Sequence, residues 1–172
     1  DTNRLAYLYD PLSNTMSKQY CPIREIASAW DMAMLAQFLG DRRDLLPICK
    51  RTLSYFKPFL KSFKDSKRGI RFDSRLLREP ANIAHSAFFL LAAAYYGRAD
   101  PDGAAEFRPL IEPLALGILS QQNVDGSFTI FFDPEFPDNS GVEFYPSEAG
   151  LALLVAYEET KKDMFLSAVA RA

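Results

Sequence analysis

Residues 118–128 read ILSQQNVDGSF, an apolar helical run that passes through Gln-Gln-Asn-Val-Asp-Gly into aromatic strand formers. Asn123 and Gly126 punctuate a helix end, and Asp-Gly favours a tight turn. Asp125 is the turn former and also a candidate ligand-binding carboxylate. The stretch decides the fold because its neighbourhood is spelled three times. Aromatic extended segments RLAYLYD, GIRFD and GSFTIFFD end at Asp10, Asp73 and Asp133. A loop follows each, then a proline (Pro22, Pro80 or Pro146), then an apolar helix. IASAWDMAMLAQFLG from Ile26 aligns without a gap on IAHSAFFLLAAAYYG from Ile83, and SEAGLALLVAYEE fits the same frame with Tyr157 under Tyr95 and Phe38. A period of roughly 57 to 65 residues predicts a solenoid or a closed array.

Helical periodicity extends through most of the chain. Ile23, Ile26, Ala27, Trp30, Ala33, Met34 and Phe38 make one stripe that stops at Gly40. DLLPICKRTLSYFKPFLKSF pairs with it across a very short turn, Pro47 suiting a first turn and Pro58 ending or kinking the helix. PANIAHSAFFLLAAAYYG is apolar nearly all round and is expected to be buried. DGAAEFRPLIEPLALGILSQQ, PSEAGLALLVAYEET and KDMFLSAVARA complete three antiparallel hairpins. The expected fold is all-α, a single domain of three strand-loop-helix-helix repeats at about 1–65, 66–122 and 123–172, with short β-like connectors.

The 172 residues suffice for one substantial core, and 48% hydrophobic with 24% charged residues is ordinary for a globular protein. With a net charge of -2, nothing suggests a nucleic-acid backbone or an anionic membrane as partner, and neither is expected. SAFFLLAAAYYG is too short to span a bilayer. Cys21 and Cys49 have neither CxxC spacing nor clustered histidines, so the expectation is free thiols in a reducing, cytoplasmic setting and no zinc. DPEFPDNSGVE lacks the alternating oxygens of a calcium loop. No P-loop, dinucleotide fingerprint or Gly-x-Ser-x-Gly occurs, so no cofactor is expected.

The pattern resembles the α/α toroids, in which helical hairpins circle a central cavity. QNVDGSF is similar to the Gln-x-x-x-Gly-x-aromatic turn of terpenoid-cyclase and prenyltransferase toroids, with Gln122, Gly126 and Phe128 in place, Phe128 standing where those families usually carry Trp. YPSEAGLALLVAYEETKKDMFLSAVARA resembles the last hairpins of six-hairpin glycosidases and epimerases, where Tyr-Pro-Gly-Glu-Ala often opens an inner helix; Ser147 replaces that Gly. The resemblance implies a partial toroid, an incomplete ring or an open arc. A missing segment or a partner chain would complete it, and the start at Asp1 favours a piece of a longer protein.

The resemblance also implies that the inner-helix N-termini open on one cavity, where partial positive charge and free N–H groups suit anions and sugar hydroxyls. The candidates there are Glu148, His85 and Glu25 as acid–base groups and Arg24, Asn82 and Tyr145 as binding groups, with Asp125 added by a loop. Glu148 and Glu25 could act as an acid and base pair, and His85 as a proton shuttle. Each has a plainer explanation: a carboxylate stabilising a helix start, ion pairs across the ring, a hydrogen-bonded core histidine. The expected function is a carbohydrate-acting hydrolase or epimerase, whole or in part. The alternatives are a non-catalytic helical scaffold and a terpenoid-cyclase-like toroid, the last lacking DxDD and DDxxD runs.

Overall fold

A computed structural model describes residues 4–17, 19–136 and 141–172. The chain is mostly helical, with two small antiparallel sheets. Helix α1 (Pro22–Leu39) starts on a proline and buries Ile26, Ala29, Ala33 and Ala36 along one face. It ends where Gly40 takes a φ of 68°, a conformation that costs glycine least. A short 3₁₀ turn leads into α2 (Leu46–Phe56), which buries Cys49, Leu53 and Phe56. Pro58 ends α2 as expected, since the chain tightens to a 3₁₀ turn over Lys57–Phe59.

The N-terminal segment RLAYLYD forms only a two-residue strand, β1 (Tyr9–Asp10), paired with β2 (Thr15–Met16). The second connector is a fuller hairpin: β3 (Leu60–Ser62) runs antiparallel to β4 (Ile70–Phe72), with Leu60 opposite Phe72. The third, GSFTIFFD, forms no ladder. Two isolated bridges tie it down, Gln122 to Phe128 and Asn82 to Phe131. After β4 comes a short helix that the periodicity did not reveal, α3 (Ser74–Leu77), capped by Asp73, which accepts from the N–H of Arg75 at 2.8 Å and of Leu76 at 3.2 Å. Asp10 likewise accepts from the N–H of Leu12. Asp133 instead accepts from Arg71 at 2.9 Å and from the Ser74 hydroxyl.

Helix α4 (Ile83–Ala99) is the centre of the molecule. Its Ile83, Ala87, Phe89, Leu90, Leu91 and Ala92 are all without solvent contact, which its near-continuous apolar sequence requires. It lies between α1 and α6 (Tyr145–Thr160), and the three form one layer. The second layer holds α2, α5 (Ile111–Leu119) and α7 (Asp163–Arg171), each packed on its own hairpin partner and α2 and α5 also on the neighbouring hairpin. Pro109 lies in a 3₁₀ turn over Arg108–Leu110, so α5 begins later than its apolar run suggests.

One device recurs. Gly69 opens β4 with a φ of 75° and lies against α5, where a Cβ would overlap the Pro113 carbonyl oxygen. Gly126 opens the third aromatic segment with a φ of 94° and lies against α7, where a Cβ would overlap the Arg171 carbonyl oxygen. These two aromatic segments thus meet the second-layer helix of the hairpin that follows them. The Gln122 side-chain amide completes the second junction, donating to the carbonyls of Gly126 at 3.0 Å and Ala168 at 2.8 Å and accepting from Arg171 at 2.8 Å. The turn at 122–128 therefore ties α7 down in addition to its packing on α6.

Candidate functional site

The first turns of α1 and α6 and the first half of α4 enclose a cavity of about 370 Å³. Ile23, Arg24 and Ala27 come from α1, Phe88 from α4, and Phe144, Tyr145 and Glu148 from α6. Prolines start both α1 and α6, so the side chains of each first turn are fixed in direction. The walls are largely apolar, with Arg24, Tyr145 and Glu148 as the polar groups. Such a lining suits a small organic ligand oriented by a few charges.

Burial pushes the Glu148 carboxyl above the usual range, and the positive charge of Arg24 pulls the other way. Its Oε2 has no hydrogen-bond partner and no solvent contact. A carboxyl in that setting holds its proton more readily, which is what a general acid needs. Burial also raises the Tyr145 phenol, and the nearby charges of Glu148 and Glu79 add to the shift while Arg24 opposes it.

The other candidates are placed elsewhere. Asn82 is the N-cap of α4, its side-chain oxygen accepting from the N–H of Ala84 at 3.1 Å and of His85 at 3.2 Å. His85, 2% exposed, closes the capping box: the Asn82 N–H donates to its Nδ1 at 3.3 Å. Its Nδ1 also lies 3.0 Å from Asn82 Oδ1, and its Nε2 lies 2.9 Å from Glu79 Oε1. His85 does not line the Arg24–Glu148 cavity. Glu25, 5% exposed, turns away from its neighbour Arg24 and accepts from Arg4 Nε at 2.7 Å. The Arg4 guanidinium lies 3.5 Å from the Tyr55 ring centre and 4.5 Å from that of Tyr20, and bonds the Tyr20 hydroxyl. This ion pair fastens the N-terminal segment to α1. Asp125 is exposed in its turn and accepts from the Ser127 N–H and hydroxyl at 3.1 and 2.7 Å.

Phe88 and Phe144 line the cavity and were not singled out in the sequence. Phe88 lies in a helix where every neighbour is equally apolar, so no pattern distinguishes it. Glu79 precedes Pro80 in a loop, and only its contact with His85 marks it. Among the described residues no three His, Cys, Asp or Glu side chains stand close enough to hold a metal ion. No helix among them is long and apolar enough to cross a membrane. No protein-family model, curated protein or solved structure matches the chain.

Proposed function

We propose that the chain is a partial α/α toroid that acts on a carbohydrate, as a hydrolase or an epimerase, in the cavity between the first turns of α1 and α6. One observation carries the reading: an unpartnered, partly buried carboxylate, Glu148, shares an apolar cavity with the Arg24 guanidinium and the Tyr145 phenol. Phe88 and Phe144 offer flat faces to the C–H side of a sugar ring. Arg24 supplies a forked donor for hydroxyls or a carboxylate. In hydrolysis Glu148 donates a proton to the leaving oxygen while water attacks the anomeric carbon; in epimerisation Glu148 takes a proton from carbon on one face and the Tyr145 phenol donates one to the other.

The test is Glu148→Gln on a saccharide that the native protein turns over. Hydrolysis releases a new reducing end, whereas epimerisation in heavy water carries deuterium into the sugar, so one NMR experiment separates them. Turnover should fall at least about 100-fold, as loss of a general acid–base group typically does. Full activity in the variant would reduce Glu148 to a helix-start residue. A non-catalytic binding arc is the second reading, favoured by Leu35, Phe38 and Leu39, which stand exposed at the far end of α1.

A further inference from the structure

Arg4 lies in a cage. Its guanidinium centre is 3.5 Å from the ring centre of Tyr55, 4.5 Å from that of Tyr20 and 5.2 Å from that of Phe56. Its Nε donates to Glu25 Oε1 at 2.7 Å and its Nη2 donates to Oε2, the two-pronged pairing that a planar guanidinium makes with a carboxylate. Aromatic faces around a cation are also the means by which proteins bind cationic ligands.

The walls of the cage do not depend on Arg4. Tyr55, Phe56 and Phe59 pack on one another with ring centres 5.1, 5.3 and 5.6 Å apart, and Phe56 packs on the fully buried Phe72. Glu25 is fixed in the first turn of α1. The occupant is the loosely held part. No residue from Arg4 to Ser17 is buried, and residues 6–16 are all exposed. Among the described residues, the hydrogen bonds that join this segment to α1 all end on the Glu25 carboxylate. A segment with so few buried contacts opens readily once that pairing is broken.

Beside the cage lies a cavity of about 580 Å³, and Arg4 forms part of its wall with Tyr20, Tyr55 and Phe59. Arg78 and Glu79 line the same cavity. Arg78 has no ion-pair partner among the described residues. Glu79 Oε1 lies 2.9 Å from Nε2 of the buried His85, which fixes the direction of the carboxylate. The cavity thus adds one positive and one negative side chain to the cage. That pairing suits a zwitterion better than a purely anionic or cationic group. The volume is ample for a small molecule.

We infer that Arg4 is the built-in occupant of a guanidinium-binding site formed by Tyr20, Tyr55, Phe56 and Glu25, and that the site takes free arginine when the N-terminal segment lifts away. The guanidinium of the ligand replaces that of Arg4 on Glu25. Its α-ammonium and α-carboxylate lie in the cavity with Glu79 and Arg78. The site shares no lining residue with the cavity that holds Glu148, so it stands independently of the carbohydrate reading.

Calorimetric titration of the native chain and of Arg4→Ala with L-arginine and with L-citrulline tests it. Citrulline has nearly the shape of arginine and no charge at the end of its side chain. Arg4→Ala should bind arginine at least about tenfold more tightly than the native chain does, because the tethered Arg4 competes at a high effective concentration. The same variant should bind citrulline at least about tenfold more weakly than arginine, and adding Glu25→Gln should remove arginine binding. Equal binding of arginine and citrulline, or arginine binding that Arg4→Ala does not strengthen, overturns the site. The native chain gives a second readout. Leu5, Ala6 and Tyr7 line a pocket together with Cys21, so saturating arginine, and not citrulline, should quicken the reaction of Cys21 with Ellman's reagent as the segment lifts. A thiol rate that arginine leaves unchanged overturns the exchange, even if Arg4→Ala fails to fold.

Discussion

Replacing Gly126 by alanine tests the junction that the 122–128 turn makes with α7. Gly126 sits at a φ of 94°, and an added Cβ would overlap the Arg171 carbonyl oxygen and come within 2.7 Å of its carbon. The backbone term alone costs roughly 1–2 kcal/mol for a residue with a Cβ in the left-handed region. The overlap is with main chain, which cannot rotate aside, and overpacking of that kind costs typically about 1–3 kcal/mol. Together they predict a loss of about 2–5 kcal/mol for Gly126→Ala. For a chain of this size that lowers the melting temperature by roughly 4–20 °C. Gly150 is the internal control. It lies inside α6 with nothing within 4 Å of a built Cβ, so Gly150→Ala should stabilise by about 0.5–1 kcal/mol through helix propensity. Circular dichroism at 222 nm during heating reads both variants. A melting temperature for Gly126→Ala equal to that of the native chain would refute the close approach between this turn and α7.

Arg4→Met should leave the buried Glu25 carboxylate uncompensated and cost about 3 kcal/mol in urea denaturation, most of it recovered when Glu25→Gln is added. If the double variant is no more stable than Arg4→Met, the pair is not the source of the loss. Burial pushes the Cys49 thiol up to about 12, while Cys21 is only half-buried, so Ellman's reagent at pH 8 should react with one thiol in the native protein and with both in denaturant. Two fast thiols in the native state would contradict the packing of α2. Glu148 binds its proton more tightly when folded, so native stability contributed by the protonated form fades as pH rises through its elevated native pKa. Glu148→Gln should therefore gain stability over the native chain at pH 7 and lose that advantage near pH 4, and a difference independent of pH would count against a desolvated carboxyl.

Most of the helices were legible in the sequence because their causes are local, although α5 starts later than expected and Phe38 of the expected α1 stripe is exposed. An apolar residue every third or fourth position makes one buried face, Pro22 and Pro146 preset a first turn, and Gly40 takes the positive φ that closes α1. The burial of α4 was legible for the same reason, since a helix apolar all round has no face to give to water. The small α3 was not, because four residues are too few to show a period, and GSFTIFFD reads like a strand yet forms only isolated bridges.

Which polar groups meet was decided by the tertiary structure alone. Arg24 and Glu25 are adjacent, but a residue advances about 100° around a helix. One therefore faces Glu148 across the cavity and the other faces Arg4 on the N-terminal segment. His85 and Glu148 hold similar places in the aligned repeats, yet a capping box and Glu79 occupy both nitrogens of the imidazole, while the Glu148 Oε2 has no partner. A proline start or a glycine stop could be read from the chain alone, because each is a local property of the backbone. The pairing of charges and the cavity they line depend on contacts between residues far apart in the chain, and only packing the two layers around α4 brings those together.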